Sequence, residues 1–398
     1  YNGALDGHQI CRFPARFAWL YEQLGLDTFG IHPPACPAFV KWLRTMDIGG
    51  VTLVYASAYI NSPASMYGHT LLRIDRNKFP DKVLLSNIVN YAAYPTTRNP
   101  ILYTLFGLTG GFIGRFAAMP YYIKVQEYSN IESRDLWEYQ LNLSNKEMMA
   151  LARHIWEMEQ THFDYYYLSE NCSYHLLSLI EIARPDLHLR DQFPMHVIPI
   201  DTVRAVLESP GLVNRRVYRP SQATLLRRRR QLLNSTEAAL AEELALNEKL
   251  DFSRLNEFNP VRQAAILEAA YELIRFKFGH DVISTDDDKK WVSDRALELL
   301  QRRSKIEITT EPPEVQEPPP PEDGHGTGRL ALAVGVMESG RVFEELSYRF
   351  SLHDILDRPN GFHESSQFIL PELRLRVEPH RFGNPKRRWD AVLLDRLE

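Results

Sequence analysis

The chain has 398 residues, a net charge of −5 and an isoelectric point near 6.3, with 44% hydrophobic and 24% charged residues. That length holds two or three domains and at least one substantial core. The acidic balance excludes a protein built to neutralise nucleic-acid phosphates over a whole domain, and no run of about 18 uncharged apolar residues predicts a spanning helix.

Residues 1–45 predict short helical pieces broken by Pro14, Pro33, Pro34 and Pro37. Two of the three cysteines, Cys11 and Cys36, fall there. In an oxidising compartment they can bridge and leave Cys172 as the odd thiol; in a reducing one all three stay thiols, and spacing does not decide between these. The start at Tyr1, with no initiator methionine or signal peptide, neither shows nor excludes export.

From Gly50 the pattern changes. VTLVYASAY (51–59), HTLLRID (69–75), VLLSNIVNYAAY (83–94), YYIKVQEY (121–128) and LWEYQLNL (136–143) are β-branched and aromatic runs, and predict neighbouring strands. NPILYTLFGLTGGFIG (99–114) is too short to span a bilayer and is expected to be a buried glycine-rich loop or hairpin, with a lipid-facing loop as the alternative. Ser144 is the predicted N-cap of an amphipathic helix carrying Met148, Leu151, Ile155 and Met158 on one face. A second helix is expected from about Asn171 to Ala183, stopped by Arg184-Pro185, with Cys172, Leu176, Leu179, Ile180 and Ala183 as its apolar stripe.

Residues 221–305 predict helices throughout. Arg227 to Arg230 within them are expected on a solvated face, with an anionic lipid or another acidic surface as the alternative. Six prolines in 311–326 predict a stiff linker. Beyond it RLALAVGVM, FEELSYRFSL, SSQFIL and ELRLRVE alternate with period two, about four strands of a sandwich or barrel. Four strands are too few to close a barrel, so the natural chain is expected to continue. The organisation is then an N-terminal helical segment (1–45), a sheet-and-helix domain (46–200), a helical region (201–305), a linker (306–327) and a β segment (328–398), an α+β chain overall.

Chemistry concentrates in DYYYLSENCSYHLL (164–177), which sets Cys172 where a strand-like run meets a helix. A cysteine in the first turn of a helix faces unpaired backbone N–H groups and the positive end of the macrodipole, and both favour the thiolate. A thiolate nucleophile needs a base and donors for the oxyanion it creates. The Cys172 N–H is one candidate donor. Of the thirteen histidines, His175 sits one helical turn from Cys172 with its ring along the helix, and His154 and His162 are expected at the surface or at a cap. His69 opens a strand straight after the turn SPASMYG, where a base on a sheet can face the helix tip. Cys172 and His175 alone do not make a metal site, because zinc wants three or four ligands in closely spaced pairs and no second pair occurs. No cofactor and no metal are expected.

SPASMYGHTLLRI (62–74) and YYYLSENCSYHLL (165–177), in that order, together with CRFPARF (11–17), resemble the DUF4105 family, the Lnb N-terminal periplasmic domain. The likeness covers roughly residues 10–190. The regions after residue 190 resemble the segments C-terminal to this domain in longer members, where an outer-membrane-type β region is expected. The family in turn looks like circularly permuted papain-like enzymes, the group of NlpC/P60 and lecithin:retinol acyltransferase relatives, in which histidine precedes cysteine and an Asn-Cys pair opens the helix. The resemblance implies a permuted papain-like antiparallel sheet with helices, Cys172 as nucleophile and His69 as base. It also implies a Gram-negative periplasmic location near the outer membrane, and with it a Cys11–Cys36 disulfide.

Members from Bacteroidota are understood to be lipoprotein N-acyltransferases. The expected partners are therefore a phospholipid acyl donor, a lipoprotein amine as acceptor and a membrane surface, and no nucleic acid. The third catalytic residue has no motif. Asn87 and Asn90 have opposite parity on their strand, so at most one faces the site, and Asn90, beside Tyr91, is preferred. Ser62, Ser65, Tyr67, Asn171 and His175 are candidate substrate-binding residues, although Ser62-Pro63 is equally a plain turn. The acyl groove is expected along Ile101 to Gly114 with Phe116 and Met119 to Tyr122. A papain-like hydrolase of peptidoglycan or lipid, and a non-catalytic envelope scaffold with an inert Cys172, are the alternatives.

Overall fold

Four of the five strand-forming runs after Gly50 supply strands of one antiparallel sheet. The computed structural model describes residues 7–59, 66–247, 251–280, 286–311, 313–349, 352–362, 367–377 and 389–396. The chain divides into two units, Tyr1–Glu317 and Pro318–Glu398. In the first, β1 (Ile48–Ala56), β2 (His69–Arg76), β3 (Asn87–Tyr94), β4 (Phe112–Pro120), β5 (Leu136–Leu141), β6 (Phe163–Tyr165) and β7 (Val213–Arg219) lie in the order β6-β4-β3-β2-β1-β5-β7. The fold is α+β: this sheet with helices, a helical region, then an all-β segment.

The central strand β1 is buried at every position from Val51 to Ala56, as expected of a strand covered on both faces. On one face Val54, Ala56, Leu71, Ile88 and Leu136 pack against Tyr121 and Tyr128. On the other lie the helices Asn145–Met158 and Cys172–Ala183, which pack on each other. Ser144 caps the first with a full capping box through Glu147. Its Trp156 indole donates to the Cys11 carbonyl at 2.9 Å. This contact ties the sheet domain to the N-terminal helices, where Cys11 and Cys36 form a disulfide.

A buried charge network crosses the sheet. Glu138 on β5 accepts from Arg73 on β2, from Arg219 Nε on β7 at 2.8 Å and from the Tyr121 hydroxyl at 2.9 Å. Burial alone would raise the Glu138 carboxyl, but Arg73 and Arg219 hold it below the usual carboxylate range. Three strands are thus tied by one ion.

The structure corrects several expectations. YYIKVQEY is not a strand: Tyr121–Val125 is a helix that continues as a π-helical turn over Gln126–Ile131. Tyr121 and Tyr128 serve one core face while Tyr122 is exposed, and Pro120 supplies the extended residue that opens the helix. The stretch 99–114 is not a buried loop. Pro100–Thr109 is a helix capped by Asn99, with Ile101, Leu102, Leu105 and Leu108 exposed, and Gly110 in the left-handed conformation ends it before β4 begins. Strand β7 lies within 201–305, the region expected to be helical. The described parts of SSQFIL and ELRLRVE form one strand through Pro371, Phe368–Val377, with an irregular register between Ile369 and Glu372. His154 is half-buried rather than superficial.

The helical region holds its own core, in which Leu240, Leu244, Ile266, Leu267, Ala270, Ile274 and Leu299 meet. Its arginine run bonds to the protein: Arg229 pairs with Glu268 at 2.6 Å, Arg228 donates to the Glu314 carbonyl at 3.0 Å, and Arg230 faces Glu242 at 3.5 Å.

In the second unit β8 (Arg329–Val336), β9 (Val342–Arg349), β11 (Phe368–Val377) and β12 (Trp389–Arg396) form antiparallel pairs in that order, with β10 (Leu352–His353) added beside β11. Register puts Leu330, Leu332, Val334 and Val336 on the same face as Val342, Leu346 and Leu373, and all seven are exposed. The opposite face carries the ion pairs Arg349–Glu372–Arg374 and Arg376–Glu345. Among the described residues no helix is long and apolar enough to cross a membrane.

Candidate active site

Gly68 prepares the site. Its φ of +88° is left-handed, and a Cβ there would meet the Tyr55 ring at 2.5 Å. Only glycine fits both demands. The chain turns there and enters β2 at His69, whose backbone lies opposite Ala56 of β1.

Strands β2 and β3 pair only over Leu72–Ile74 and Asn87–Val89. The three residues before Leu72 therefore separate from β3. Side-chain alternation then fixes what faces what. His69 shares parity with Leu71, and Asn90 with Ile88, and Leu71 and Ile88 meet in one core cluster. His69 Nε2 lies 2.7 Å from Asn90 Oδ1. Asn90 is buried. Asn87 starts β3 half-buried, opposite Ile74 and Pro120.

The helix Cys172–Ala183 covers the other face. Its His175 ring lies 4.1 Å from Tyr91 and 4.9 Å from Phe163, centroid to centroid. Asn171 caps it: Oδ1 accepts from the Ser173 and Tyr174 N–H groups, and Nδ2 donates to the Tyr167 and Val197 carbonyls at 3.0 and 2.7 Å. With its amide fully engaged, Asn171 fixes the turn that presents Cys172. The helix tip reaches the gap between β2 and β3, where the thiol meets His69 and the backbone N–H of Thr70.

Cys172 is buried and is the free cysteine among the described residues. Burial pushes its thiol up. The charge and hydrogen bond of His69, the Thr70 N–H and the Tyr165 hydroxyl act the other way, and the outcome is about 7, below the ordinary thiol value. Tyr165 is not among the residues the sequence singles out, although it stands in the same motif as Cys172. Its hydroxyl also accepts the Cys172 N–H at 3.4 Å. What marks it is its place in β6 opposite Phe112, with its side chain buried.

Tyr67, Gly68, Tyr165, Tyr167, Asn171, Cys172 and Pro199 line a narrow cleft. Its Tyr167 wall connects to the exposed apolar helix Pro100–Thr109. The Tyr167 N–H donates to the Gly107 carbonyl at 2.8 Å, its ring packs against Gly107 so closely that a Cβ there would collide with it, and Tyr103 lies 5.8 Å away.

Of the remaining candidates, Tyr67 is buried in the cleft wall. His175 sits away from the cleft in an aromatic cage, and burial lowers its imidazole to about 4. Ser62 and Ser65 lie outside the described residues. Cys172, His69 and Asn90 thus come together, with Tyr165 and the Thr70 backbone beside them. Such an arrangement can generate a thiolate at neutral pH, hold a proton on an oriented imidazole and offer donors to an oxyanion.

Residues 38–209 match the family described as Lnb N-terminal periplasmic domain. Residues 216–315 and 318–383 match two families described as domains of unknown function, DUF7842 and DUF7840. No curated protein and no solved structure matches the chain.

Proposed function

Since residues 38–209 belong to the Lnb N-terminal periplasmic domain family, and the chain is thereby an envelope protein, we propose that it is a thiol acyltransferase that carries an acyl group on Cys172 from a phospholipid to an amine. The observation that carries this is the Cys172 thiol, held near 7 inside an otherwise desolvating site by His69.

In the first half-reaction the Cys172 proton passes to His69, and sulfur attacks an ester carbonyl. The C–S bond forms, the C–O ester bond breaks, and His69 returns the proton to the departing lysophospholipid oxygen. In the second, an amine attacks the thioester carbonyl and gives its proton to His69, and sulfur leaves as thiolate. Tyr165, whose hydroxyl accepts the Cys172 N–H at 3.4 Å, is the candidate donor to the oxyanion in both. Asn90 accepts from His69 Nε2–H and so keeps Nδ1 for the thiol.

A lipid donor is favoured by the uncharged helix Pro100–Thr109, whose four exposed aliphatic side chains stand one residue layer from the cleft through Tyr167. Exposed apolar surface of that kind is costly unless it meets lipid or a partner. The second unit supports association with the outer membrane. One face of its sheet is mostly aliphatic and exposed, with Glu344 among the aliphatic side chains, and the other is ion-paired, a division resembling that of strands with lipid on one side and a polar interior on the other.

The acceptor proposed is the N-terminal amine of a diacylglyceryl-cysteine lipoprotein. The test gives the protein phospholipid vesicles with either a diacylglyceryl-cysteine peptide or a muropeptide. Transfer predicts a peptide heavier by one acyl chain, absent with Cys172→Ala. Release of free fatty acid alone, or cleavage of the muropeptide, would instead make the protein a hydrolase.

A further inference from the structure

We propose that the second unit holds a divalent transition-metal site made by His325, His353 and Asp357. The inference does not rest on the acyltransferase reading. One ligand atom from each residue lies within 4.8 Å of the others. His325 Nε2 is 2.8 Å from His353 Nδ1 and 4.0 Å from Asp357 Oδ2. A zinc-class ion binds nitrogen at about 2.0–2.1 Å, so the two imidazoles need separate by only about 0.5 Å to admit it.

The surroundings orient these ligands as metal sites require. His325 Nδ1 lies 2.8 Å from the Gly326 carbonyl. A carbonyl only accepts, so Nδ1 carries the proton and Nε2 presents a lone pair towards the cluster. Asp357 is held twice: Arg329 pairs with Oδ1, and the Asp354 N–H donates to Oδ2 at 3.0 Å. The His353 ring is buried and stacks on Phe362 at 4.0 Å, and the His325 ring lies on Phe362 at 5.6 Å. Both imidazoles are thus fixed by packing.

Two nitrogens and one carboxylate favour zinc or a neighbouring first-row ion over calcium or magnesium, which prefer all-oxygen sites. Three protein ligands leave at least one position for water or a further group. The ligands come from before β8, from β10 and from the turn after it. The ion would therefore clip the entry of the sheet to its short third strand, and part of its binding energy would appear as stability. The sequence hides the site because His325 stands 28 residues before the close pair His353 and Asp357.

Cobalt(II) serves as the probe on the full chain, since it takes zinc sites and colours them. One equivalent should give a ligand-field band that zinc abolishes. His325→Ala and His353→Ala should each remove it, Cys172→Ser should leave it, and Arg329→Gln should weaken binding about tenfold by loosening Asp357. If the histidine variants do not fold, the unaltered chain decides: zinc should raise its unfolding temperature and a chelator should reverse the rise. A chain that gives no band and no thermal shift would reduce the cluster to a hydrogen-bonded imidazole pair. A band that survives both histidine variants, or disappears with Cys172→Ser, would also overturn the proposal.

Discussion

His69 Nε2 lies 2.7 Å from Asn90 Oδ1, and this pairing decides which ring nitrogen serves the thiol. An amide oxygen only accepts, so Nε2 carries the proton and Nδ1 is left to act as base in the proposed reaction. The two residues come from strands that have already parted, β2 and β3. The pairing also holds the ring above the gap into which Cys172 projects.

Asn90→Ala frees the ring to rotate. The expected outcome is a fall in kcat of about 10²-fold, the usual cost of misplacing a catalytic group by about 1 Å, with KM little changed because Asn90 is buried away from the cleft lining. Steady-state kinetics of peptide acylation measure the split; a rise in KM at constant kcat would place Asn90 in substrate binding instead.

The thiolate makes alkylation pH-dependent. With the Cys172 thiol lowered to about 7, the iodoacetamide rate should climb about tenfold per pH unit below 7 and level off above it. In His69→Ala burial loses its main opponent, so the midpoint should move up past the ordinary thiol value. The readout is the mass-resolved labelling rate at Cys172 from pH 5 to 9. An unchanged midpoint in that variant would show that His69 does not act on the thiol.

Glu138→Ala leaves Arg73 buried without its main counter-ion, because Arg73 and Arg219 both converge on that carboxylate. The expected cost is about 3–5 kcal/mol, seen as a lower denaturant midpoint. A loss under about 1 kcal/mol would mean that Asp75, which pairs with Arg73 at 2.5 Å, compensates alone.

The Cys11–Cys36 disulfide closes a loop with a sequence separation of 25. Replacing both cysteines by serine should cost about 3 kcal/mol through the freed unfolded chain. Turnover at a temperature where the variant stays folded should not change, since neither cysteine lines the cleft. Chemical denaturation and activity at one temperature separate the two effects.

Local chemistry is legible in the sequence where one residue imposes it. Ser144 caps its helix, Asn171 opens the next, and the period-two runs after residue 327 are strands. The positions of His69 and Cys172 are readable because a histidine opening a strand and a thiol opening a helix each carry a sequence sign. The misreadings have tertiary causes. YYIKVQEY has strand-forming residues, but Tyr121 and Tyr128 are needed on one core face, which a helix and a π-turn satisfy. The exposed helix Pro100–Thr109 breaks the rule that apolar runs are buried. Tyr165 and the Thr70 N–H become visible only once the parting of β2 from β3 places them beside sulfur.

A covalent acyl-enzyme is the step on which the proposed chemistry stands, and intact-protein mass after incubation with phospholipid vesicles of one defined acyl chain reads it without a coupled assay. The mass should rise by one such chain on Cys172, fall back with hydroxylamine, and stay unchanged in both Cys172→Ala and His69→Ala. A folded protein that remains unmodified, or an adduct that persists when Cys172 is replaced, would refute thioester catalysis at this cysteine.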